Sequence, residues 1–319
     1  MKNKPPITAA ERQQARLQDA DKGRVERFGI TAAQRVGARA QRAAYRAFRR
    51  GDNPASAFGA VLHEDGIVVL TQTMVLAHVL GVRRSQLIVQ AEAPIAARRG
   101  GLLSQNFRLA LRAAEQRAKL TDEEIEALAE RYTPYASKVI ATAEAEVNRG
   151  LASAMVEATA AGEHVHGGKM ILEEEIKRQA GTANLKEAFE RLGLSPQNSF
   201  TFEAIFRTQT AIAYSSGRYQ TEQDPAIQEI LWGYRYVTVG DTRVRDEHVG
   251  FDGVTLPKDD PFWLANTPPN GWCCRCAAIS VFEERPVFEP RAVDIDGDMV
   301  EPKAGPGFAV NFGALAAAV

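Results

Sequence analysis

Apolar side chains recur at three- and four-residue intervals from the first residues to about Tyr219, with Ala, Arg, Glu, Gln and Leu filling the positions between. That period is helical, and those residues lose little rotamer freedom in a helix. Breaks at glycine and proline divide the pattern into helices expected at about 9–28, 31–50, 53–63, 71–80 and 104–118. Thr121 with Glu124 forms a capping box, followed by Ile125, Leu128 and Tyr132 at helical spacing. The helix they start extends to about residue 160, interrupted or kinked by Pro134. Shorter helices are expected at 170–178 and 184–192, and a last one at about 200–220 follows the turn at Ser195-Pro196.

Past Asp224-Pro225 the period changes from helical to alternating. The stretch 234–239, Tyr-Arg-Tyr-Val-Thr-Val, is rich in aromatic and β-branched residues and predicts a strand. A loop rich in Pro, Asp and Asn, about 250–271, separates it from a second strand at 276–282. The fold class expected is therefore α+β, mainly helical: a helical region at 1–222, a small α+β module with a short sheet at 223–285, and an arm at 286–319 with scattered Pro and Gly. No internal repeat is evident.

Composition changes this picture little. The 319 residues are 45% hydrophobic and 25% charged, as in ordinary globular proteins, and exceed the size at which a single core usually stops growing. A formal net charge of -1 gives no global pull toward nucleic acid, so charge distribution matters more than the sum. No membrane segment is expected: the best apolar run, Gly66-Ile-Val-Val-Leu70, is far short of a span, and the polar start lacks the apolar centre of a secretory signal. Folding in a reducing cytoplasm is the expectation. The 3 cysteines all lie in Cys273-Cys-Arg-Cys276, too tightly placed for a disulfide framework, so clustered thiols point to metal first.

In an extended segment Cys274 and Cys276 project to one side and Cys273 to the other. The loop before them is long enough to fold His248 back onto the thiol pair. Such donors suit Zn²⁺, which in structural sites takes four ligands. Asp241 and Cys273 are the candidates for the fourth, although Asp241 also fits as a turn cap and Cys273 faces away. The alternative is that the thiols are small buried hydrophobes and His248 a hydrogen-bonded loop residue. No cofactor other than zinc is suggested.

A second feature is a basic stripe. Arg35, Arg39, Arg42, Arg46 and Arg49 fall on one helical face, with no acidic residue between positions 31 and 50 to neutralise them. It reads either as a grip for phosphates or an acidic partner, or as the solvated side of a helix packing through Val36, Tyr45 and Phe48. Arg83-Arg84 and Arg98-Arg99 read as surface, His164-Val-His166 as a polar loop, His63 as a helix end and His78 as a partly buried helix residue. No nucleophile elbow, zinc-protease helix or phosphate loop is present, so an enzyme is not expected. Asp241, Asp246, Glu247 and His248 have the chemistry for acid–base work, but the neighbouring Arg243 and Arg245 favour salt bridges.

The ordered set Trp232, Asp241-x-Arg243-x-Arg245-x-x-His248, Gly253, Pro268-Pro269 and Cys274-Arg275-Cys276 resembles the carboxy-terminal signature of the Mu F-like head morphogenesis family. Upstream, Phe206-Arg-Thr-Gln-Thr-Ala-Ile-Ala-Tyr214 with Gly217-Arg218 is similar to the family's helix before the tryptophan-led strand. The resemblance covers about 200–282, and a fainter likeness to some members lies in Gly305 to Gly313. Some relatives carry Cys-x-x-Cys where this chain has Arg245 and His248, which with Cys-Arg-Cys completes a four-ligand site; here Arg245 replaces the first cysteine and would supply a salt bridge instead. The resemblance implies a non-enzymatic minor capsid protein of the virion, in the head interior or at the portal vertex. Its implied partners are the portal protein, the major capsid or scaffold protein, and packaged DNA, in support of head assembly, DNA packaging or DNA exit. Two other readings stand beside it: a nucleic-acid-binding module with a small zinc knob, and a phage enzyme or toxin carrying the module.

Overall fold

The structure, a computed structural model, describes residues 6–99, 109, 112–116, 118–163, 186–187, 190, 200–291 and 302–311, with the side chains of 92–99, 146–148, 151–163 and 200–202 excepted. The expected helices at 170–178, most of 184–192, and the His164-Val-His166 loop lie outside these residues. The protein is mainly helical α+β, as the sequence implies.

Among the described residues the helices are longer than the glycine pattern suggests. Helix α1 (Ala9–Arg50) runs unbroken through Gly29, where two helices were expected. Gly29 is a packing residue rather than a breaker: a Cβ there would collide with the side chains of Phe206 and Thr73. Helix α2 (Pro54–Val61) begins at Asn53, whose Oδ1 accepts from the Ala55 and Ser56 N–H groups, with Pro54 in the first turn. A π-helical turn, Leu62–Gly66, then carries the chain directly into α3 (Ile67–Arg99), so the expected break between 63 and 71 is absent. This corrects a second expectation. The helical run Pro54–Ala91 is long and apolar enough to cross a membrane by length and composition, because polar residues at 64 and 65 interrupt its apolar character without ending it. Of its most apolar window, 56% is buried inside the protein, as for a core helix. Helix α4 (Asp122–Glu163) is capped as expected by Thr121 and Glu124 and continues through Pro134. Helix α5 spans Phe200–Glu222.

The contacts group the chain into two compact units whose boundaries fall inside helices α1, α3, α4 and α5. The unit formed by Arg27–Thr73 and Leu128–Phe206 buries Val36, Phe58, Leu62, Leu70, Tyr132 and Ile140. Gly66 rests against Ile140 there, and Arg39 pairs with Asp65 at 2.8 Å. The other unit comprises Met1–Glu26, Met74–Ala127 and Arg207–Val319. In it α3 and α5 meet backbone to backbone: a Cβ on Gly81 would strike the Tyr214 carbonyl, and one on Gly217 the His78 carbonyl. His78 is fully buried and its Nε2 lies 2.7 Å from Gln220 Oε1.

This second unit also holds the sheet. After a short α6 (Pro225–Gln228), strands β1 (Gly233–Val237), β2 (Thr255–Pro257) and β3 (Ala277–Val281) form an antiparallel sheet in the order β2-β1-β3. Tyr234 faces Leu256 on one side and Ser280 on the other. β1 and β3 match the two predicted strands; β2, α7 (Asp246–Val249) and α8 (Phe262–Asn266) lie in what reads as loop in the sequence, each too short to show a period. One side of the sheet carries an aromatic core of Tyr234, Tyr236, Phe251 and Trp263 with Leu256 and the two thiols. On the other, Val237, Ala277 and Ile279 bury Ala15 of α1. Ion pairs reinforce that seam: Arg12 grips Asp252 through both carboxylate oxygens, and Glu11 accepts from Arg235 and Arg285. Described parts of the 286–319 arm are tied to the same unit, Phe288 bridging Thr255 and Phe308 packing against Ile212.

Candidate metal centre

The residues that form the centre come from two short segments. Arg245, in extended conformation, starts the single turn α7, and its carbonyl accepts from the His248 N–H at 2.9 Å, so Arg245 and His248 share one turn. Opposite them, the chain leaves Pro268-Pro269 and turns at Gly271, whose carbonyl accepts from the Cys274 N–H at 3.2 Å. Cys273 takes a left-handed φ of 56°, and its N–H donates to Thr208 Oγ1 at 3.0 Å. That inversion lets Cys274 and Cys276 face the same interior before β3 begins. The expected separation of Cys273 from the pair is therefore met, by a turn rather than by strand alternation.

His248 Nδ1 lies 3.9 Å from Cys274 Sγ and 3.8 Å from Cys276 Sγ, all three residues are buried, and their donor atoms fall within 4.8 Å of one another. A tetrahedral zinc with Zn–S near 2.3 Å and Zn–N near 2.0–2.1 Å places ligand atoms roughly 3.6–3.8 Å apart. The three donors thus stand close to three corners of such a site, and the chemistry of the set suits zinc. His248, Cys274 and Cys276 are the residues that would hold it, and the ion would cross-link α7 to the segment leading into β3.

The hydrogen bonding prepares the thiols for that task. A hydrogen bond from Cys276 is the main influence holding Cys274 well below the usual thiol range, against the effect of burial and with help from His248. Cys276, as the donor of that bond and buried, is pushed well above it. Tyr236 backs the pair: burial, then the charge on the sulfurs, pushes its hydroxyl up, and it bonds Cys276 while accepting from Asn270 Nδ2 at 3.2 Å. Tyr236 and Asn270 were not legible as site residues, since an alternating strand and a Pro-rich loop give no sign of convergence.

Asp241 is placed elsewhere. Its two oxygens accept from Arg275 at 2.5 and 2.8 Å and from the Arg243 N–H at 3.1 Å, and Arg275 holds its carboxyl far below the usual carboxylate range. It therefore clamps the middle of the Cys-Arg-Cys turn from outside the three-donor cluster. Arg245 makes no ion pair among the described residues; its Nη2 donates to the Trp272 carbonyl at 2.5 Å, which corrects the expected salt bridge. The remaining signature positions are structural. Trp232 pairs with Val281 and Lys258 through its backbone, the Pro268 carbonyl accepts from Ser215, and Gly253 adopts φ 79°, where its N–H reaches the Tyr236 carbonyl at 2.6 Å. Only glycine takes that conformation without strain.

The stripe arginines Arg35, Arg39, Arg42, Arg46 and Arg49 are all exposed. Arg42, Arg46 and Arg49 line a groove of about 320 Å³ with Tyr45. Arg39 is neutralised by Asp65, an acid beyond the window in which none was expected. Of the other basic pairs, Arg84 binds Asp21 rather than standing free at the surface. His63 is exposed in the π-helical turn.

Fold and centre together define a helical α+β protein whose small sheet module encloses a buried His-Cys-Cys cluster. Residues 169–279 match the family described as Phage Mu protein F like protein, so this segment of the chain is similar to that family. It is 37% identical over 79 residues to the Mu-like prophage FluMu F protein of Haemophilus influenzae, covering 25% of this chain and 19% of that protein. It is 40% identical over 72 residues to the putative capsid assembly protein F of Escherichia phage Mu, covering 23% of this chain and 16% of that protein. The chain thus matches less than a fifth of the length of these curated relatives. No solved structure matches it.

Proposed function

We propose that this chain is a minor capsid protein of a phage head that docks on the portal vertex and supports head assembly, DNA packaging or DNA exit. The observation that carries the reading is the coincidence of the Mu F match with the sheet module and its centre, together with the name capsid assembly protein F on one relative. In this reading 1–222 provides the contacts with portal and head, 223–285 is a rigid module held closed by zinc, and 286–319 is an arm. Asp241, one of the carboxylates with the chemistry for acid–base work, is held by Arg275, which favours a structural role for it. Portal protein, with major capsid or scaffold protein, is the partner to test. Purified chain should capture portal protein in nuclease-treated, DNA-free solution; a failure to do so with properly folded portal rings would reject the docking.

The exposed stripe favours one addition. The arginines at 42, 46 and 49 present cations beside Tyr45, an arrangement that suits the phosphates of packaged DNA. Binding to duplex DNA should then weaken steeply as salt rises and fall when Arg42, Arg46 and Arg49 are changed to Gln. Salt-independent retention, or unchanged binding in the triple variant, would remove DNA from the partner set and leave portal docking untouched.

A further inference from the structure

His248, Cys274 and Cys276 offer three donors, and among the described residues no other His, Cys, Asp or Glu joins them. Zinc held by three protein ligands takes its fourth from outside the chain. The charges around the donors determine what suits that position, and two cations face them. One comes from the stripe of α1 that covers the start of β3. Ala15 packs on Ala277 and Ile279, Gln18 is joined through Arg218 to the Ala278 carbonyl, and Lys22, 5% exposed, sets its charge against the Cys276 sulfur. The other cation is Arg245. A Cβ on Gly271 would lie 3.4 Å from Arg245 Nη1 and 3.7 Å from His248 Cε1, the ring carbon beside the donor nitrogen, so the guanidinium stands near the donor edge of the imidazole. Arg245 Nη2 is used by the Trp272 carbonyl. Among the described residues Nη1 has no acceptor, and neither Asp246 nor Glu247 of the same turn pairs with it.

A zinc ion with two thiolates and a neutral imidazole carries no net charge. With Lys22 and Arg245 beside it, the group is doubly positive when the fourth ligand is water. An anion in that place removes one of those charges and gives Arg245 Nη1 a charge-assisted partner. We infer that this centre keeps its fourth coordination position for a small monovalent anion taken from solution, with the Arg245 guanidinium as the side chain that draws and holds it. The inference rests on the zinc reading above, and deepens it: the position that closes a purely structural site is here an exchangeable one.

The experiment loads the full chain with cobalt(II) in place of zinc and follows the visible ligand-field bands, which report what surrounds the metal. Thiocyanate should shift those bands saturably, and perchlorate at the same ionic strength should leave them in place. Arg245→Gln should weaken thiocyanate binding about tenfold, as the loss of one charge-assisted hydrogen bond requires. Arg245→Lys, which keeps the charge, should recover part of that loss. Arg245→Cys, which supplies a thiolate instead, should abolish the response. Cobalt bound with bands that thiocyanate does not move would overturn this inference and leave the zinc reading standing, whereas failure of the folded chain to take up cobalt would overturn both. An equal shift with perchlorate, or thiocyanate binding as tight in Arg245→Gln as in the wild type, would also overturn it.

Discussion

Arg218 and Glu222 form an ion pair that solvent barely reaches, which makes the pair a sharp test of how the module is joined to α5. Their side chains are 7% and 5% exposed, with Nη2 to Oε1 at 2.6 Å. Burial alone would lower the Arg218 pKa, but Glu222 more than offsets it and the guanidinium stays charged. Arg218 also donates to the Ala278 carbonyl at 2.5 Å and Ser280 Oγ at 3.1 Å, and so ties α5 to β3. Arg218→Met keeps the apolar stem while leaving Glu222 charged and enclosed, with the Ser85, Ser280 and Tyr234 hydroxyls to solvate it. Losing one partner of a buried pair costs about 3–5 kcal/mol, whereas an exposed pair would cost at most about 1 kcal/mol. Removing both charges in Arg218→Met/Glu222→Leu should recover most of the loss, leaving a residue of about 1 kcal/mol for each polar partner orphaned on β3. Urea unfolding followed by intrinsic fluorescence reports the right region, because Trp232, Trp263 and Trp272 all lie in the sheet module. A single variant destabilised by less than about 1 kcal/mol, or a double variant no more stable than the single, would refute the burial argument.

Three further outcomes are expected. Gly217→Ala places a methyl against the His78 carbonyl and should destabilise by about 1–3 kcal/mol; an unchanged melting midpoint would mean that α3 and α5 do not pack at that distance. Glu11 is buried, which raises its pKa, but the Thr8 N–H and the guanidinium groups of Arg235 and Arg285 outweigh this and hold it below its ordinary value of 4.5. A depressed carboxyl contributes stability above the unfolded-state pKa and loses it as pH falls through the folded one, so Glu11→Gln should flatten the acid limb of the stability–pH curve below that value and leave no such change if the pairing is absent. For the metal centre, folded protein should carry one zinc per chain, chelation should lower its melting midpoint, and Cys274→Ser, Cys276→Ser or His248→Ala should lose the ion. Arg245→Cys, one turn from His248, should tighten zinc binding by supplying a fourth ligand. A zinc content well below one in folded wild-type protein would sink the zinc assignment.

The sequence by itself determined the elements long enough to repeat a period. The helical class, the cap at Thr121 with Glu124, strands β1 and β3 and the helix before them were all legible, because side-chain spacing alone dictates which face a segment can bury. Chemistry was legible where residue type is rare: three cysteines in four positions and one histidine at loop distance pointed to a common centre. What only the tertiary structure decided was the meaning of residues that read differently by neighbourhood. Gly29, a breaker by local rule, is a contact for Phe206 and Thr73 inside one long helix. Asp241, a ligand by type, belongs to Arg275, and Arg39 belongs to Asp65, because the shortest charge pair wins regardless of sequence distance. Tyr236 and Asn270 acquired roles through burial, which no local pattern encodes. Desolvation is a property of everything packed around a group, so it appears only when distant segments have met.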